Sequence, residues 1–427
     1  MKLRAFPAIR RAGLLLLLTG LAMSGCGRSS NGGASGTPSP SPATPTPTVS
    51  GTAKPTATPV PQDPLLDRIA KLTLDQKIGQ MVLVGLEGTS MQAHAREMID
   101  TYKVTGFILY KDNITGSAQT RALLTQLKEQ NRANPFPLWL SVDQEGGRVD
   151  RFPAEYVKIP TMHEVGKTNK PTYSNLIGQA LGEEVRSLGF NMDFAPVLDV
   201  NNNPNNPVIG DRSFGATPDV VIQHGIQVLK GIQSKQVVPV VKHFPGHGDT
   251  SVDSHLELPV IPKSLDALRA FELKPFAEAI RQQADAVMVG HLLLPKLDET
   301  NPATLSPKVI TDLLRGELKF DGVVITDDMT MGGITKHAGI GDAAVRSVQA
   351  GSDILLVGHD YEQQKAVLQA LKGAVQNGTL SEKRLEASIY RIAKLKEKYG
   401  VQDGPIPAID VQAVNRVIQS ALEAGKK

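Results

Sequence analysis

Residues 237–243, with the sequence VVPVVKH, form a short apolar run that is followed directly by two polar residues, Lys242 and His243. The arrangement recurs along the chain, and longer amphipathic stretches separate the apolar runs. Short strands that alternate with helical patterns indicate βα units and a parallel sheet. Eight apolar runs are predicted to be strands: 81–84, 106–110, 138–142, 191–196, 237–241, 286–289, 322–325 and 354–357.

The stretches between these runs carry helical signals. Helical patterns cover residues 174–188, 217–233, 265–283 and 306–318. Thr73, with Gln76 three positions later, matches a capping box, and Thr217 precedes a proline at the first position of a helix. Eight strands, each followed by a helix over about 330 residues, predict an α/β fold, the (β/α)8 TIM barrel, as a single catalytic domain.

The main alternative is an open, doubly wound sheet. The positions of the polar residues distinguish the two folds, because in a barrel the carboxyl ends of all strands meet at one mouth. An open sheet would spread the same residues along a line. Six polar residues whose side chains could take part in chemistry follow five of the predicted strands or lie on them: Asp143, Asp193, Lys242, His243, His291 and Asp327. Their placement favours the barrel.

The first 26 residues have the pattern of an export signal. Basic residues at positions 2, 4, 10 and 11 precede an apolar run at 14–23, which is shorter than the roughly 20 residues that a membrane-spanning helix needs. Ser24-Gly25-Cys26 resembles a bacterial lipobox, and Cys26 is the only cysteine in the chain. This resemblance implies lipidation of Cys26 and an exported protein anchored to the outer face of the cell membrane. An ordinary signal peptide with an incidental cysteine is the alternative.

The remaining chain divides by composition. Residues 27–62 are rich in proline, threonine and serine, so they are expected to form a disordered linker. The catalytic domain is predicted at 63–400, and 401–427 form a C-terminal extension with one helix at 411–424. A net charge of +3 without a basic run argues against nucleic acid as a partner. With a single cysteine, no intramolecular disulfide can form.

The segment KHFPGHGDTSVDSH, residues 242–255, holds three of the nine histidines. His243 and His247 are four residues apart, a spacing that binds zinc when both lie on one helix. Pro245 and Gly246 lie between them and disfavour a helix. No metal or other cofactor is therefore predicted. A glycine-rich loop with surface histidines is the simpler alternative reading.

Two further features suggest proton transfer and nucleophilic attack. In Asp253-Ser254-His255, the carboxylate can orient the imidazole and raise the basicity of its other nitrogen, as in a catalytic triad. Asp327 follows the strand predicted at 322–325 and would emerge at the barrel mouth. An aspartate at such a position is also a common helix N-cap, so it gains weight only from its neighbours. Asp328 is expected to orient or cap.

Long motifs in a fixed order resemble those of the β-N-acetylhexosaminidases of glycoside hydrolase family 3. They are KHFPGHGDTSVDSH, SVDQEGGRVDRF from Ser141, NMDFAPVLDV from Asn191, IGDRSFG from Ile209 and VITDDMTMGGI from Val324. The resemblance covers about residues 64–400 and implies a (β/α)8 catalytic domain of the single-domain type, in the form of a bacterial lipoprotein.

The resemblance also implies roles for individual residues. Asp327 corresponds to the catalytic nucleophile, His255 to the general acid/base and Asp253 to its dyad partner. Substrate-binding positions correspond to Asp143, Arg151, Arg212, Lys242 and His243. The implied reaction is retaining hydrolysis of terminal β-linked N-acetylglucosamine, from peptidoglycan fragments or related oligosaccharides, through a glycosyl-aspartyl intermediate.

Several alternatives remain at this stage. Within the family, a glycosyl phosphorylase or a β-glucosidase is possible, and a sugar-binding lipoprotein without catalytic activity is the alternative from another class. One tryptophan and 4% aromatic residues predict a pocket for one sugar instead of a long cleft. The expected partners are a carbohydrate substrate and a membrane reached through the N-terminal lipid only, and the protein is expected to be a monomer.

Overall fold

The computed structural model describes residues 63–254 and 256–426. The predicted signal peptide, the predicted linker with the proposed lipidation site Cys26, and His255 lie outside the described residues. All eight predicted strands are confirmed; β6 matches at both ends, and the ends of the others shift by at most three residues. They are β1 Val82–Gly85, β2 Gly106–Leu109, β3 Trp139–Val142, β4 Met192–Asp193, β5 Val238–Phe244, β6 Ala286–Val289, β7 Val323–Thr326 and β8 Leu355–Val357.

The strands form one parallel barrel. Neighbouring strands pair in the order β7-β6-β5-β4-β3-β2-β1-β8, and every pair is parallel. A parallel bridge between Ile325 and Ile354 joins the two ends of this order. The carboxyl ends of the strands therefore surround a single mouth, which confirms the barrel and rejects the open sheet.

Helices follow the strands and cover the barrel. They are α1 Pro64–Ala70, α2 Leu74–Gly79, α3 Ala93–Asp100, α4 Ser117–Asn131, α5 Met162–Lys167, α6 Pro171–Leu188, α7 Pro218–Gln233, α8 Leu265–Ala270, α9 Leu273–Arg281, α10 Gly332–Thr335, α11 Ile340–Ala350, α12 Tyr361–Gln376, α13 Glu382–Lys398 and α14 Val411–Lys426. A wider π-type helix covers Lys308–Glu317. The capping box at Thr73 and the proline at the start of α7 are both confirmed. The single helix predicted at 265–283 is wrong, because Phe271 leaves helical geometry and separates α8 from α9.

Two apolar layers determine which end of the barrel is open. The outer layer packs the strands against the helices, and the inner layer fills the barrel with side chains such as Trp139, Phe194 and Met288. Leu395 and Tyr399, at the end of α13, pack onto the inner layer and close the amino-terminal end of the barrel. The barrel interior is therefore reached from its carboxyl-terminal mouth, the end at which barrels of this type carry their active sites.

Lys396 on α13 is buried at the closed end of the barrel. Its Nζ donates to the Thr105 carbonyl (3.1 Å) and to Gln80 Oε1 (3.3 Å), and lies 5.6 Å from the centre of the Trp139 ring. Burial lowers the pKa of Lys396 from 10.5 to about 7, and Asp403 opposes this shift. The charged form is therefore disfavoured in the fold, although it has hydrogen-bond acceptors.

Replacing Lys396 with methionine is expected to change the pH dependence of stability. Between about pH 7 and pH 10.5 the unfolded chain binds more protons at this position, so this lysine makes the wild type more stable as the pH rises. The Lys396→Met variant lacks that slope. Its stability relative to the wild type should be highest below about pH 7 and fall by several kcal/mol on going to alkaline pH, at about 1.4 kcal/mol per pKa unit.

Urea unfolding of both proteins at a series of pH values measures the difference. A difference in unfolding free energy that stays constant across this range would contradict the lowered pKa of Lys396.

Within residues 63–254 and 256–426, no helix is long and apolar enough to cross a membrane.

Candidate active site

A cavity of about 340 Å³ lies at the mouth of the barrel and is called the mouth cavity below. Its size is near the lower end of the usual range for ligand pockets, about 300–1,000 Å³, and suits one sugar ring. Side chains from the ends of β2, β3, β5, β6, β7 and β8 line it. Six of the eight predicted catalytic and substrate-binding residues meet there: Asp143, Arg151, Arg212, Lys242, His243 and Asp327.

The other two predicted residues belong to the segment after β5. Asp253 immediately precedes Ser254, which lines the mouth cavity, and the Asp253 carbonyl accepts hydrogen bonds from the amides of Leu256 and Glu257. His255 lies outside the described residues. The arrangement of the proposed acid/base pair therefore stays a prediction.

A larger groove, of about 760 Å³, lies at the opposite end of the barrel. It is lined by α1, α13 and the residues that precede β6 and β7, and its charged side chains pair with one another, as Arg391 does with Asp321. None of the predicted site residues lies there. The convergence of reactive side chains, and not the size of the cavity, identifies the mouth cavity as the candidate site.

Four buried or half-buried charges form the wall of the mouth cavity beside β3 and β5. Lys242 Nζ lies 2.5 Å from Asp143 Oδ1 and 2.6 Å from Glu145 Oε1. Arg212 binds both carboxylate oxygens of Glu145, at 2.7 and 2.8 Å. These four residues, named the ionic cluster, balance two positive charges with two negative ones. Such a cluster presents hydrogen-bonding groups that need no reorganisation when a polar ligand binds.

The charge states follow from the contacts. Burial raises the pKa of Glu145, but Arg212 and Lys242 outweigh it and hold that pKa well below its usual range. Burial lowers the pKa of Lys242, but Asp143 and Glu145 reverse the effect and raise it. Both groups are therefore charged at neutral pH. Asp143 is the most exposed of the three, so its carboxylate is the one best placed to accept hydrogen bonds from a ligand in the cavity.

Glu145 was missed by the sequence analysis, although it lies two residues after Asp143. The sequence feature that could have identified Glu145 is the glycine pair Gly146-Gly147 that follows it. Gly147 has a φ of +57°, and a Cβ at this position would lie 2.6 Å from a side-chain carbon of Thr161. The chain must turn sharply there, and the turn directs Glu145 to Arg212.

Arg151, at the end of the same turn, supplies an unused donor. Its Nε is buried and has no hydrogen-bond partner among the described residues, which suits recognition of a ligand oxygen. Its backbone N–H donates to Gln144 Oε1, and Gln144 Nε2 donates to Glu184 Oε2 at 2.9 Å. The turn is thus fixed from behind. Arg148, in contrast, donates to the Val208 and Ile209 carbonyls and has a structural role.

His243 is oriented by a second residue that the sequence analysis missed, Asp199. The carboxylate of Asp199 lies 2.7 Å from His243 Nδ1 and also accepts the backbone N–H of His247 at 2.6 Å. Burial raises the pKa of Asp199, but His243 and His247 lower it below its ordinary value. Because Nδ1 faces a carboxylate, Nδ1 carries a proton, and in the neutral tautomer of the ring Nε2 is an acceptor.

Asp327 is half-buried in the mouth cavity directly after β7. Its Oδ1 accepts the backbone N–H of Asp328 at 2.9 Å. Asp328 has a different role, because its Oδ1 accepts the amides of Thr330 and Gly358, both at 3.0 Å. The prediction that Asp328 orients or caps is confirmed. Both aspartates line the mouth cavity, but the Asp328 carboxylate is occupied by the amides of Thr330 and Gly358.

An aromatic pair forms the wall between β2 and β8. The rings of Tyr110 and His359 stack with their centres 4.5 Å apart, and the Tyr110 hydroxyl donates to Asp328 Oδ2 at 3.4 Å. Burial and the neighbouring Asp328 raise the pKa of Tyr110 well above its ordinary value, so the phenol stays protonated. No group of three or more potential metal ligands occurs among the described residues.

Asp193 and Asp199 offer a test of the electrostatics. Burial raises the pKa of Asp193 well above its usual value, which favours the neutral acid. Asp193→Asn should therefore cost less than about 1 kcal/mol of stability, whereas Asp199→Asn removes a buried charge from His243 and should cost about 3 kcal/mol. Urea unfolding measures both, and equal losses would contradict the two assignments.

Comparison with known proteins places the chain in a family. The model of the glycosyl hydrolase family 3 N terminal domain matches residues 73–395. The chain is 36% identical to beta-hexosaminidase A of Pseudoalteromonas piscicida over 334 residues, which cover 73% of this chain but only 56% of that protein. It is 35% identical to beta-hexosaminidase LpqI of Mycobacterium tuberculosis over 353 residues, which cover 81% of this chain and 88% of that protein.

A solved structure agrees with both the fold and the family. The glycoside hydrolase family 3 beta-N-acetylglucosaminidase from Paenibacillus sp. matches with a TM-score of 0.79 and 41% sequence identity. The match covers 83% of this chain and 69% of that one. Together with the family model and the barrel-mouth residues, these findings show that the chain belongs to glycoside hydrolase family 3.

Proposed function

We propose that the protein is a retaining β-N-acetylhexosaminidase, a glycoside hydrolase that removes terminal non-reducing β-linked N-acetylglucosamine. One observation carries the proposal: a cavity of monosaccharide size brings Asp327 together with the ionic cluster, Arg151 and His243. Relatives named beta-hexosaminidase, and a solved beta-N-acetylglucosaminidase with the same barrel, support the substrate class.

The reaction proceeds in two steps. The carboxylate of Asp327 attacks the anomeric carbon and forms a glycosyl-aspartyl ester, while His255 donates a proton to the departing oxygen. His255 then takes a proton from water, which attacks the ester and releases the sugar with its β configuration retained. Most glycosidases use a second carboxyl group for the proton transfers. A histidine, with an unperturbed pKa of about 6.5, can serve both roles near neutral pH.

The remaining residues hold the sugar. Asp143 and His243 accept hydrogen bonds from hydroxyls, and Arg151, Arg212 and Lys242 donate to hydroxyl or carbonyl oxygens. Lys242 and Arg212 are already paired with carboxylates and held in place. A sugar that binds them therefore does not have to remove the water shell of an unpaired charge. Binding energy is then available for orienting the anomeric carbon toward Asp327.

The natural substrates in this proposal are peptidoglycan fragments or related oligosaccharides at the cell envelope. The N-terminal sequence supports this location, because lipidation at Cys26 would anchor an exported protein to the outer face of the membrane.

If Cys26 is lipidated, Cys26→Ala should release the protein from the membrane fraction of expressing cells. Retention of the Cys26→Ala variant in that fraction would contradict the anchor. We also propose that the protein acts as a monomer.

The activity is tested with aryl glycosides. The protein should hydrolyse an aryl N-acetyl-β-glucosaminide much faster than the matching β-glucoside, and proton NMR should show the β anomer as the first product. Faster turnover of the glucoside, or a first product with the α configuration, would overturn the proposal. The same reaction in phosphate buffer should yield free sugar, since a sugar phosphate would identify a phosphorylase instead. Mass spectrometry of products from purified muropeptides then tests the envelope substrate.

A further inference from the structure

His247 is a buried histidine that the proposed mechanism does not use. It lies in the segment after β5, residues 245–257, which is called the proton-transfer loop below because it contains Asp253 and His255. Both ring nitrogens of His247 are engaged within this loop: Nδ1 lies 2.8 Å from Thr250 Oγ1, and Nε2 lies 3.0 Å from Ser254 Oγ. A single imidazole therefore joins two separate points of the loop.

The backbone of His247 connects the loop to the wall of the mouth cavity. Its N–H donates to Asp199, the residue that orients His243, and its carbonyl accepts from Asn206 Nδ2 at 2.9 Å. The loop passes so close to the strand-end segment that a Cβ on Gly248 would lie 1.8 Å from the Val200 carbonyl oxygen. His247 is thus held at a fixed point of the barrel and can act as an anchor for the loop.

Ser254 is the residue on which this anchor acts. It separates Asp253 from His255 in the sequence and lines the mouth cavity. On one side its hydroxyl meets His247, and on the other its carbonyl accepts the Gly333 N–H at 3.1 Å, from the segment that follows Asp327. Ser254 is therefore positioned between the wall formed by His243 and the element that carries the proposed nucleophile.

The protonation state of His247 fits such a role. Burial and the nearby His243 lower its pKa to about 4, so the ring is neutral across the physiological range. A neutral imidazole has one donor and one acceptor, and each hydroxyl can supply the complementary role. One neutral tautomer can therefore satisfy both hydrogen bonds. A charged ring, with two donors, could also make both bonds, but it would place a charge in a buried site.

We propose that His247 is the positioning residue of the proton-transfer loop, which it holds through Thr250 and Ser254 so that the acid/base pair faces the leaving-group oxygen. The inference rests on the proposed function, because it assigns His247 a role in the same reaction. His247 acts through Ser254 and does not itself contact the reacting atoms. Its loss should therefore affect the proton transfer and spare the nucleophilic attack.

Leaving groups of different acidity separate these two steps. We would measure kcat/KM of wild type and His247→Gln with the dinitrophenyl and the phenyl N-acetyl-β-glucosaminides. Dinitrophenol departs without a proton, so the variant should keep wild-type kcat/KM within about threefold on that substrate. Phenol needs the proton, and kcat/KM should fall by about 10²-fold, the lower end of what a general acid contributes. Added azide, a nucleophile that needs no base, should raise kcat of the variant with the dinitrophenyl substrate.

Two further variants control for stability. His224→Gln removes another buried imidazole with a hydroxyl partner, Ser174 (2.7 Å), on helices away from the mouth cavity. It should leave the ratio of the two kcat/KM values unchanged. Ser254→Ala removes one hydroxyl only and should shift the ratio in the same direction as His247→Gln, so it serves if that variant does not fold.

The outcomes are distinct. Equal losses on both substrates, or no loss on the phenyl substrate, would overturn the positioning role of His247. An unchanged ratio in Ser254→Ala would overturn the route through Ser254. If the wild type hydrolyses neither glycoside, the proposed function itself fails. If the wild type hydrolyses the N-acetylglucosaminides but the variants do not show the expected change in the ratio of kcat/KM values, the proposed function stands and the role of His247 does not.

Discussion

Asp327→Ala is expected to lower kcat/KM for an aryl N-acetyl-β-glucosaminide by at least about 10⁴-fold. Asp327 is the half-buried carboxylate that follows β7 in the mouth cavity. In the proposed mechanism, its removal leaves the anomeric carbon without an attacking group. In the proposed mechanism water cannot replace it efficiently, because the ionic cluster and Arg151 would hold the sugar for attack from the position of Asp327. The measurement is initial-rate kinetics on purified wild type and variant, with circular dichroism to compare folding.

A control for this variant is available at the other end of the same strand. Asp321→Ala removes an exposed aspartate just before β7 that pairs with Arg391, and it should leave kcat/KM unchanged. A fluorinated N-acetylglucosaminide that slows the second step should also label wild-type Asp327, as peptide mass spectrometry can show. Retained activity in Asp327→Ala, or a label on another residue, would remove Asp327 as the nucleophile.

The second large effect concerns Glu145. Glu145→Gln keeps the shape of the side chain but leaves Arg212 and Lys242 with one carboxylate fewer in a buried place. Breaking a buried ion pair by removing one partner costs about 3–5 kcal/mol, so the urea midpoint should fall substantially. Sugar binding should weaken as well, because Lys242 would lose one of the two contacts that hold it at the cavity wall.

A matched ion pair on the surface provides the control. Glu317 binds Arg269 through both carboxylate oxygens at 2.7 Å, the geometry that Glu145 has with Arg212. It is exposed, and exposed pairs contribute little to stability. Glu317→Gln should therefore leave the urea midpoint nearly unchanged. Similar losses in both variants would show that burial does not set the contribution of Glu145.

The positions of the strands could be predicted because their signals are local. Each strand is a short apolar run between polar or glycine-containing segments, and each is buried on both faces, which keeps the run continuous. The same reliance on a local signal made the sequence analysis end β5 too early, at residue 241. Lys242 and His243 read as polar residues after a strand, but β5 continues to Phe244, because Asp143, Glu145 and Asp199 compensate their burial.

The ends of helices are harder to predict from a local sequence pattern than the positions of strands. The apolar periodicity of residues 265–283 continues through Phe271, so it predicted one helix where the structure has two. The break depends on packing, since Lys263 and Glu272 are paired next to the proton-transfer loop and Glu272 is buried there. Such a contact between two segments carries no periodic signal in either of them.

The sequence by itself determined the barrel, the order of the motifs and the aspartate and basic residues that line the mouth cavity. The barrel, Asp143, Lys242, His243 and Asp327 follow from apolar runs and from residues at strand ends, which depend on near neighbours in the chain, whereas Arg151 and Arg212 follow from the family resemblance of the motifs. The tertiary structure alone decided the partnerships: Glu145 with Arg212, Asp199 with His243, and His247 with Ser254. Burial makes these pairs strong, and burial arises only when distant segments pack together. The physical reason for the difference is therefore the range of the interactions.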